Sequence, residues 1–193
     1  MDLSERQLEI IKASGKILME SGIAGLTTKN LAREMHFSES ALYRHFKNKE
    51  AIVTLLIAYL SENITQRFDT IINTKQSPEE KFKALFKSQF SYFKQNPCFI
   101  NIVLSDGLID NSDEVKNAIQ QLLQTNFIRF NSLIKEGQET GVFRTVIASE
   151  ELVPIVTGTF RLQMLKCNLA SFEFDIEVQG QKTMTSILAL IKV

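Results

Sequence analysis

Apolar residues recur along this chain at intervals of three and four, the period of one helix face, from its start to its end. Ile10, Ala13, Ile17 and Leu18 form the first stripe, and the capping box Ser4-Glu5-Arg6-Gln7 opens its helix, the serine hydroxyl and glutamine amide satisfying orphan backbone donors. Gly22 is placed to end that helix in a left-handed conformation. Asn48 caps a long helix carrying Ile52, Leu55, Leu56, Tyr59 and Ile64, which fades near Asn73. In Ser77-Pro78-Glu79-Glu80 an N-cap, a first-turn proline and an acid at the third position come together. Phe82, Leu85, Phe86, Phe90 and Phe93 follow at helical spacing. That helix stops at Asn96-Pro97, because the residue before a proline is pushed out of the α region.

A short helix is expected over Pro97 to Ser105, broken by Asp106-Gly107. Asn111 followed by Glu114 opens another, along which Val115, Ala118, Ile119, Leu122, Leu123, Phe127, Phe130 and Ile134 run towards Gly141. Ser149 is expected to cap the next, with Glu150 and Glu151 complementing the helix dipole and Pro154 expected to kink its second turn. A last helix from about Asp175 ends in SILALIKV. No useful strand alternation, repeat or low-complexity tract interrupts the pattern, so the expected fold is all-α.

Within this pattern Thr27 to Phe46 stands apart. Thr27 caps a short helix with Leu31 and Ala32 inward, His36-Phe37 form the link, and Ser38 caps a second helix presenting Leu42 and Phe46 inward. Two short helices across a tight turn form the unit that places a recognition helix in the DNA major groove. Charge gathers there: Lys29, Arg33, Arg44, Lys47 and Lys49 stand against Glu34 and Glu39. The whole chain, with 22 basic and 22 acidic residues, has no net charge, so any affinity for nucleic acid has to come from such a local patch.

The run Ser38-Glu39-Ser40-Ala41-Leu42-Tyr43-Arg44-His45-Phe46-Lys47-Asn48-Lys49-Glu50 closely resembles the signature of the TetR (tetracycline repressor) family, and Gly25-Leu26-Thr27-Thr28-Lys29-Asn30-Leu31-Ala32 matches that family's lead-in. The resemblance implies an N-terminal three-helix helix-turn-helix DNA-binding domain over residues 1–50 and a helical effector-binding and dimerisation domain over 51–193. It further implies that Thr28, Tyr43 and Lys49 hold phosphates, roles that their hydroxyls and ammonium suit. Lys29, Glu39, Ser40, Ala41, Arg44 and His45 fall on positions at base edges or adjacent backbone, with Arg44 suited to guanine and Glu39 to a cytosine amino group, and the cap Ser38 counts with them as DNA-binding. Tyr43 could instead be a half-buried core ring, and Glu39 could serve only the helix dipole. At the turn the family usually has glycine; here His36 must take a positive φ, and Met35 replaces a smaller residue.

Eleven of the 14 phenylalanines lie from Phe82 onward. Phe86, Phe90, Phe93, Phe127 and Phe130 are expected to wall an effector cavity, with Arg161 the candidate partner for a carboxylate, and Asn101, Asn131 and Gln163 further candidates to orient a ligand. The alternative is that the rings fill a solid core. A homodimer is expected through the last two long helices, using Gly158 on one and Ile176, Ile187, Leu188 and Ile191 on the other. Cys98 and Cys167 lack metal-ligand or disulfide spacing and read as buried thiols, no histidine follows residue 45, and no nucleophile–base pattern appears. Neither metal, cofactor nor catalysis is expected. A polar N-terminus and the lack of a run of about 18 apolar residues point to a cytoplasmic protein with no membrane partner. The expectation is therefore a homodimeric regulator, usually a repressor in this family, that binds double-stranded operator DNA and a small hydrophobic or aromatic effector. A protein-binding helical adaptor and a helical enzyme are the competing classes.

Overall fold

A computed structural model of the chain describes residues 3–104, 112–173 and 175–193. Among them are nine helices: α1 (Glu5–Gly25), α2 (Thr28–Glu34), α3 (Glu39–Tyr43), α4 (Lys49–Ile72), α5 (Pro78–Gln95), α6 (Cys98–Leu104), α7 (Asp113–Glu139), α8 (Ser149–Leu169) and α9 (Ile176–Ile191). The expected helix end at Ser105, the break at Asp106-Gly107, the Asn111 cap and Phe174 lie outside the described residues.

Local capping chemistry sets most of the starts. The boxes Ser4/Gln7 and Ser77/Glu80 both form in full, and Asn48 Oδ1 accepts from the Ala51 amide at 2.9 Å. Asp175 accepts from the Glu177 and Val178 amides. α8 begins one residue earlier than its serine suggests: Ala148 is the N-cap, and the Ser149 hydroxyl donates to Glu150 instead of capping. Pro154 lies inside α8.

The chain forms two compact units, residues 1–62 with 97–122 and residues 63–96 with 123–193. The first is larger than the 1–50 expected, because it takes in the start of α4, all of α6 and the start of α7. Its core holds Ile10, Leu18, Leu26, Leu31, Leu42, Ile52, Leu56 and Ile100, and Tyr59 of α4 stacks on Phe99 of α6 with ring centroids 5.8 Å apart.

In the second unit α9 lies directly against α5. Gly180 makes this possible: a Cβ there would sit 2.5 Å from the Phe90 ring. Ion pairs hold both ends of the seam, Lys94 reaching Asp175 at 3.1 Å and Glu177 at 2.9 Å, and Lys192 reaching Glu79 at 2.8 Å. Lys81 is buried but keeps its charge satisfied by Glu136 at 2.9 Å. At the end of α7, Gly137 gives way to the Phe143 ring and Gly141 turns with φ 72°. An isolated antiparallel bridge then joins Phe143 to Lys192.

Candidate nucleic-acid interface

α2 starts where Thr27 accepts the Asn30 amide at 3.1 Å, and it buries Leu31 and Ala32. It ends in a turn closed by Phe37 N–H donating to the Ala32 carbonyl at 2.8 Å, with His36 at φ 56°. The histidine thus adopts the left-handed conformation that glycine would take without strain. Met35 lines a shallow groove of about 430 Å³ together with Ala13 and Phe37, so its extra bulk meets a small residue and open space.

Ser38 caps α3 by accepting the Ala41 amide at 3.2 Å. The helix is shorter than the Phe46 end expected: it stops at Tyr43, and the His45 and Phe46 amides share the Leu42 carbonyl as acceptor, tightening the last turn. Burial of Leu42 and Phe46 against the core fixes which way α3 faces. Its outward side carries Glu39, Ser40, Tyr43 and Arg44, with Ser38 and His45 exposed at its two ends and Ala41 half-buried.

Two of the expected phosphate-holding groups meet directly, the Thr28 and Tyr43 hydroxyls lying 3.2 Å apart. Tyr43 is 50% exposed. Lys29, Arg44 and Lys47 are exposed and make no ion pair among the described residues, whereas Glu34 is held by Lys16 at 2.7 Å, an interaction that raises the lysine's pKa. The exposed charge of the motif is therefore mainly cationic. Lys49 is half-buried and donates to the Ile23 carbonyl at 3.1 Å, which ties the start of α4 to the end of α1.

The expected effector residues divide. Phe86, Phe90, Phe93 and Phe130 are buried and belong to a continuous aromatic cluster with Phe68 and Phe160; the Phe68–Phe130 and Phe90–Phe160 centroids lie 4.8 and 4.9 Å apart. Phe127 is half-buried. Arg161 is not turned towards these rings but is exposed, because its neighbour Phe160 occupies the inward position on α8 and the next residue lies about 100° further round. Arg67, Gln89 and Tyr92 are among the polar groups of this unit that escaped the sequence reading. The Arg67 guanidinium lies 3.9 Å over the Tyr92 ring and donates to the buried Gln89 Oε1 at 3.1 Å. Arg67 sits between Ile64, Phe68 and Ile71 in an apolar stripe, the one signal that pointed inward. Gln163 is buried and ties α8 to α9 through Thr183 at 3.0 Å, while Asn101 donates to the Leu18 carbonyl of α1. Asn131 is half-buried.

Four of the residues expected at a dimer interface lie inside the chain. Ile176, Ile187, Leu188 and Ile191 are buried in the chain's own core, since the close seam at Gly180 brings that face of α9 onto α5. Gly158 is exposed with open space around it. It belongs to an exposed stripe on α8 formed by Ile155, Gly158, Leu162, Leu165 and Leu169. Their alternating steps of three and four are the a/d spacing by which two helices interlock.

Among the described residues no group of three His, Cys, Asp or Glu side chains could hold a metal, and no helix is long and apolar enough to cross a membrane.

Residues 10–56 match the family model described as bacterial regulatory proteins, tetR family, and residues 78–191 match the tetracyclin repressor-like C-terminal domain. The nucleoid occlusion factor SlmA of Aliivibrio fischeri is 27% identical over 161 residues, covering 80% of this chain and 82% of that protein. Among solved structures, a transcriptional regulator of Saccharomonospora viridis in complex with choline superposes with a TM-score of 0.86 at 14% identity, covering 99% of this chain and 100% of that one. The regulator FadR of Bacillus subtilis in complex with stearoyl-CoA gives 0.83 at 18% identity, with 94% and 97% covered.

Proposed function

Because the chain belongs to the tetR family of bacterial regulatory proteins, we propose that it is a repressor released from its operator when a small hydrophobic effector binds its C-terminal unit. It is a DNA-binding transcriptional regulator, not an enzyme, and it works as a homodimer on double-stranded operator DNA, hence in the cytoplasm. The observation that carries this reading is the exposed face of α3, where the paired Thr28 and Tyr43 hydroxyls adjoin cations free of ion pairs. In this arrangement Thr28, Tyr43 and Lys29 hold phosphates, and Arg44 reads a guanine edge with Glu39, Ser40, Ala41 and His45 beside it. Lys49 serves first as a brace for α1 and has further donors for phosphate.

Dimerisation uses the α8 stripe, with Gly158 permitting close approach. Two recognition helices then enter successive major grooves only at the right spacing, about 34–36 Å. An effector lowers operator affinity by binding better to a dimer of another spacing. The effector's apolar body meets Phe86, Phe90, Phe93 and Phe130, and an acidic end meets Arg67, which Gln89 orients and whose planar fork such a group fits. The FadR structure with bound stearoyl-CoA supports a long apolar ligand as first probe. Stearoyl-CoA should raise the melting midpoint and dissociate the protein from its selected operator; if sugar phosphates do both and acyl-CoA neither, this effector class is wrong.

A second reading has an observation behind it. The relatives aligned over about four-fifths of the chain are named nucleoid occlusion factors, and the phenylalanine rings already pack against one another. On that reading DNA binding serves nucleoid occlusion and no effector is needed. Transcript levels beside the bound sites separate the two: they change on deletion of a repressor.

A further inference from the structure

Phe37 stands between the left-handed turn at His36 and Ser38, the residue whose side chain caps α3. Its amide closes the turn on the Ala32 carbonyl at 2.8 Å, but its ring is only half-buried, because it lines the shallow groove shared with Ala13 and Met35. Close packing therefore holds the ring incompletely. What covers it comes from the first turn of α1: the Arg6 guanidinium lies over the ring, 4.5 Å from its centroid. Arg6 is held in turn, its Nη1 donating to Glu9 Oε2 at 2.6 Å along the same helix. A guanidinium on a ring face is attracted by the ring's quadrupole, so the contact favours one placement of the ring over others that the open groove would allow. Glu9, Arg6 and Phe37 thus form a chain of contacts from the capped start of α1 to the cap of α3.

Resting on the reading of the chain as an operator-binding regulator, we propose that Arg6 is a positioning residue for sequence recognition. By clamping the Phe37 ring it fixes the Ser38 cap, and with it the angle at which α3 presents Glu39 and Arg44 to base edges. Glu9 balances the charge of Arg6, so the pair acts on the ring and not on a phosphate. Reading a base edge through a planar fork demands alignment, whereas a lysine meets a phosphate as a point charge. Loss of the clamp therefore shows first in sequence preference and least in binding to DNA at large.

Titrations of the full-length protein onto a duplex selected from a random pool and onto an unrelated duplex, each at several salt concentrations, test this. Arg6→Met keeps an unbranched stem and removes the cation. It should weaken binding to the selected duplex about threefold, the scale of an exposed cation–π contact, and leave binding to the unrelated duplex nearly unchanged. The slope of affinity against salt should stay the same. A slope shallower by about one marks a phosphate contact made by Arg6 itself and overturns the proposal. Arg6→Lys, which keeps a cation without the planar stack, should recover part of the preference. Phe37→Leu should reproduce the loss, and Arg6→Met combined with Phe37→Leu should be no worse than either alone, because both remove one contact. Losses that multiply show that Arg6 does not act through the ring, and overturn the proposal too. Amide exchange without DNA covers the case in which Phe37→Leu does not fold. In Arg6→Met it should quicken at Ala41, whose amide Ser38 accepts, and not in α5 or α9 of the second unit. Unchanged preference with unchanged exchange at Ala41 overturns the proposal. Faster exchange at Ala41 in a protein that selects no duplex leaves the clamp standing and instead refutes operator binding.

Discussion

The hydroxyls of Thr28 and Tyr43, 15 residues apart in sequence, lie 3.2 Å from each other at the junction of α2 and α3. Each hydroxyl carries one proton, so the one that accepts from its partner keeps its own proton to donate to a phosphate oxygen and is held in place as it does so. Tyr43→Phe and Thr28→Val should each weaken binding by about 1–2 kcal/mol, to selected and unrelated duplexes alike. Arg44→Ala should instead relax preference at one base pair by about 1–3 kcal/mol. Parallel titrations of both duplex types check this; a Tyr43→Phe protein that loses only sequence preference contradicts the assignment.

His36 holds φ 56° in the turn between the two helices. Relief of left-handed strain, about 1–2 kcal/mol, outweighs the added chain entropy of glycine, about 0.5–1 kcal/mol. His36→Gly should therefore stabilise the protein by about 0.5–1 kcal/mol, and His36→Val should destabilise it. Urea denaturation read at the first unit is the check.

Much of this unit is legible in the sequence because its determinants are local. Ser38 accepts the Ala41 amide, Thr27 accepts that of Asn30, and His36 must turn left-handed whatever else surrounds it. The C-terminal unit yields less. Ile187 and Leu188 announce an apolar face on α9, but only the contact of Gly180 with Phe90 decides that this face is covered by α5 rather than by a second copy. Likewise Arg161 follows an inward Phe160, and nothing in their adjacency tells which of the two points in. The heptad steps of Ile155, Gly158, Leu162, Leu165 and Leu169 were readable as a seam, though Pro154 beside them draws attention to a kink instead.

That α8 seam gives a direct test of assembly. Leu162→Asp or Leu165→Asp should convert the dimer to a monomer in sedimentation at micromolar concentration, whereas Ile187→Asp, inside the core, should unfold the second unit. A dimer that survives both α8 changes would place its interface elsewhere.

Gly180→Ala should cost about 1–3 kcal/mol, as overpacked cores do, because its methyl would meet the Phe90 ring at 2.5 Å. Truncating the ring as well, in Gly180→Ala with Phe90→Leu, should recover part of the loss. Additive losses would show that the two residues do not touch.

The ion pairs of the same seam predict an acid response. Lys192, then Lys83, hold the Glu79 carboxyl below its ordinary pKa; Lys94 does so for Glu177, and the Val178 amide, then Lys94, for Asp175. Carboxylates depressed in the folded state stabilise it above their unfolded pKa values and lose that contribution as pH falls through the folded ones. Stability should thus decline below about pH 4, with Lys94→Met flattening the decline. The three carboxylates all reach solvent at the surface, so added salt should flatten it too. Denaturation midpoints from pH 6 to 2 test the sign.

Selection from a pool of random duplexes, with the intact protein at low salt and no effector, tests the central claim most directly. The account predicts enrichment of one inverted repeat whose half-sites are centred about 10–10.5 base pairs apart or a multiple of that, as a symmetric pair of α3 helices requires. A pool that emerges without any enriched sequence, while the protein is folded and dimeric, would contradict it.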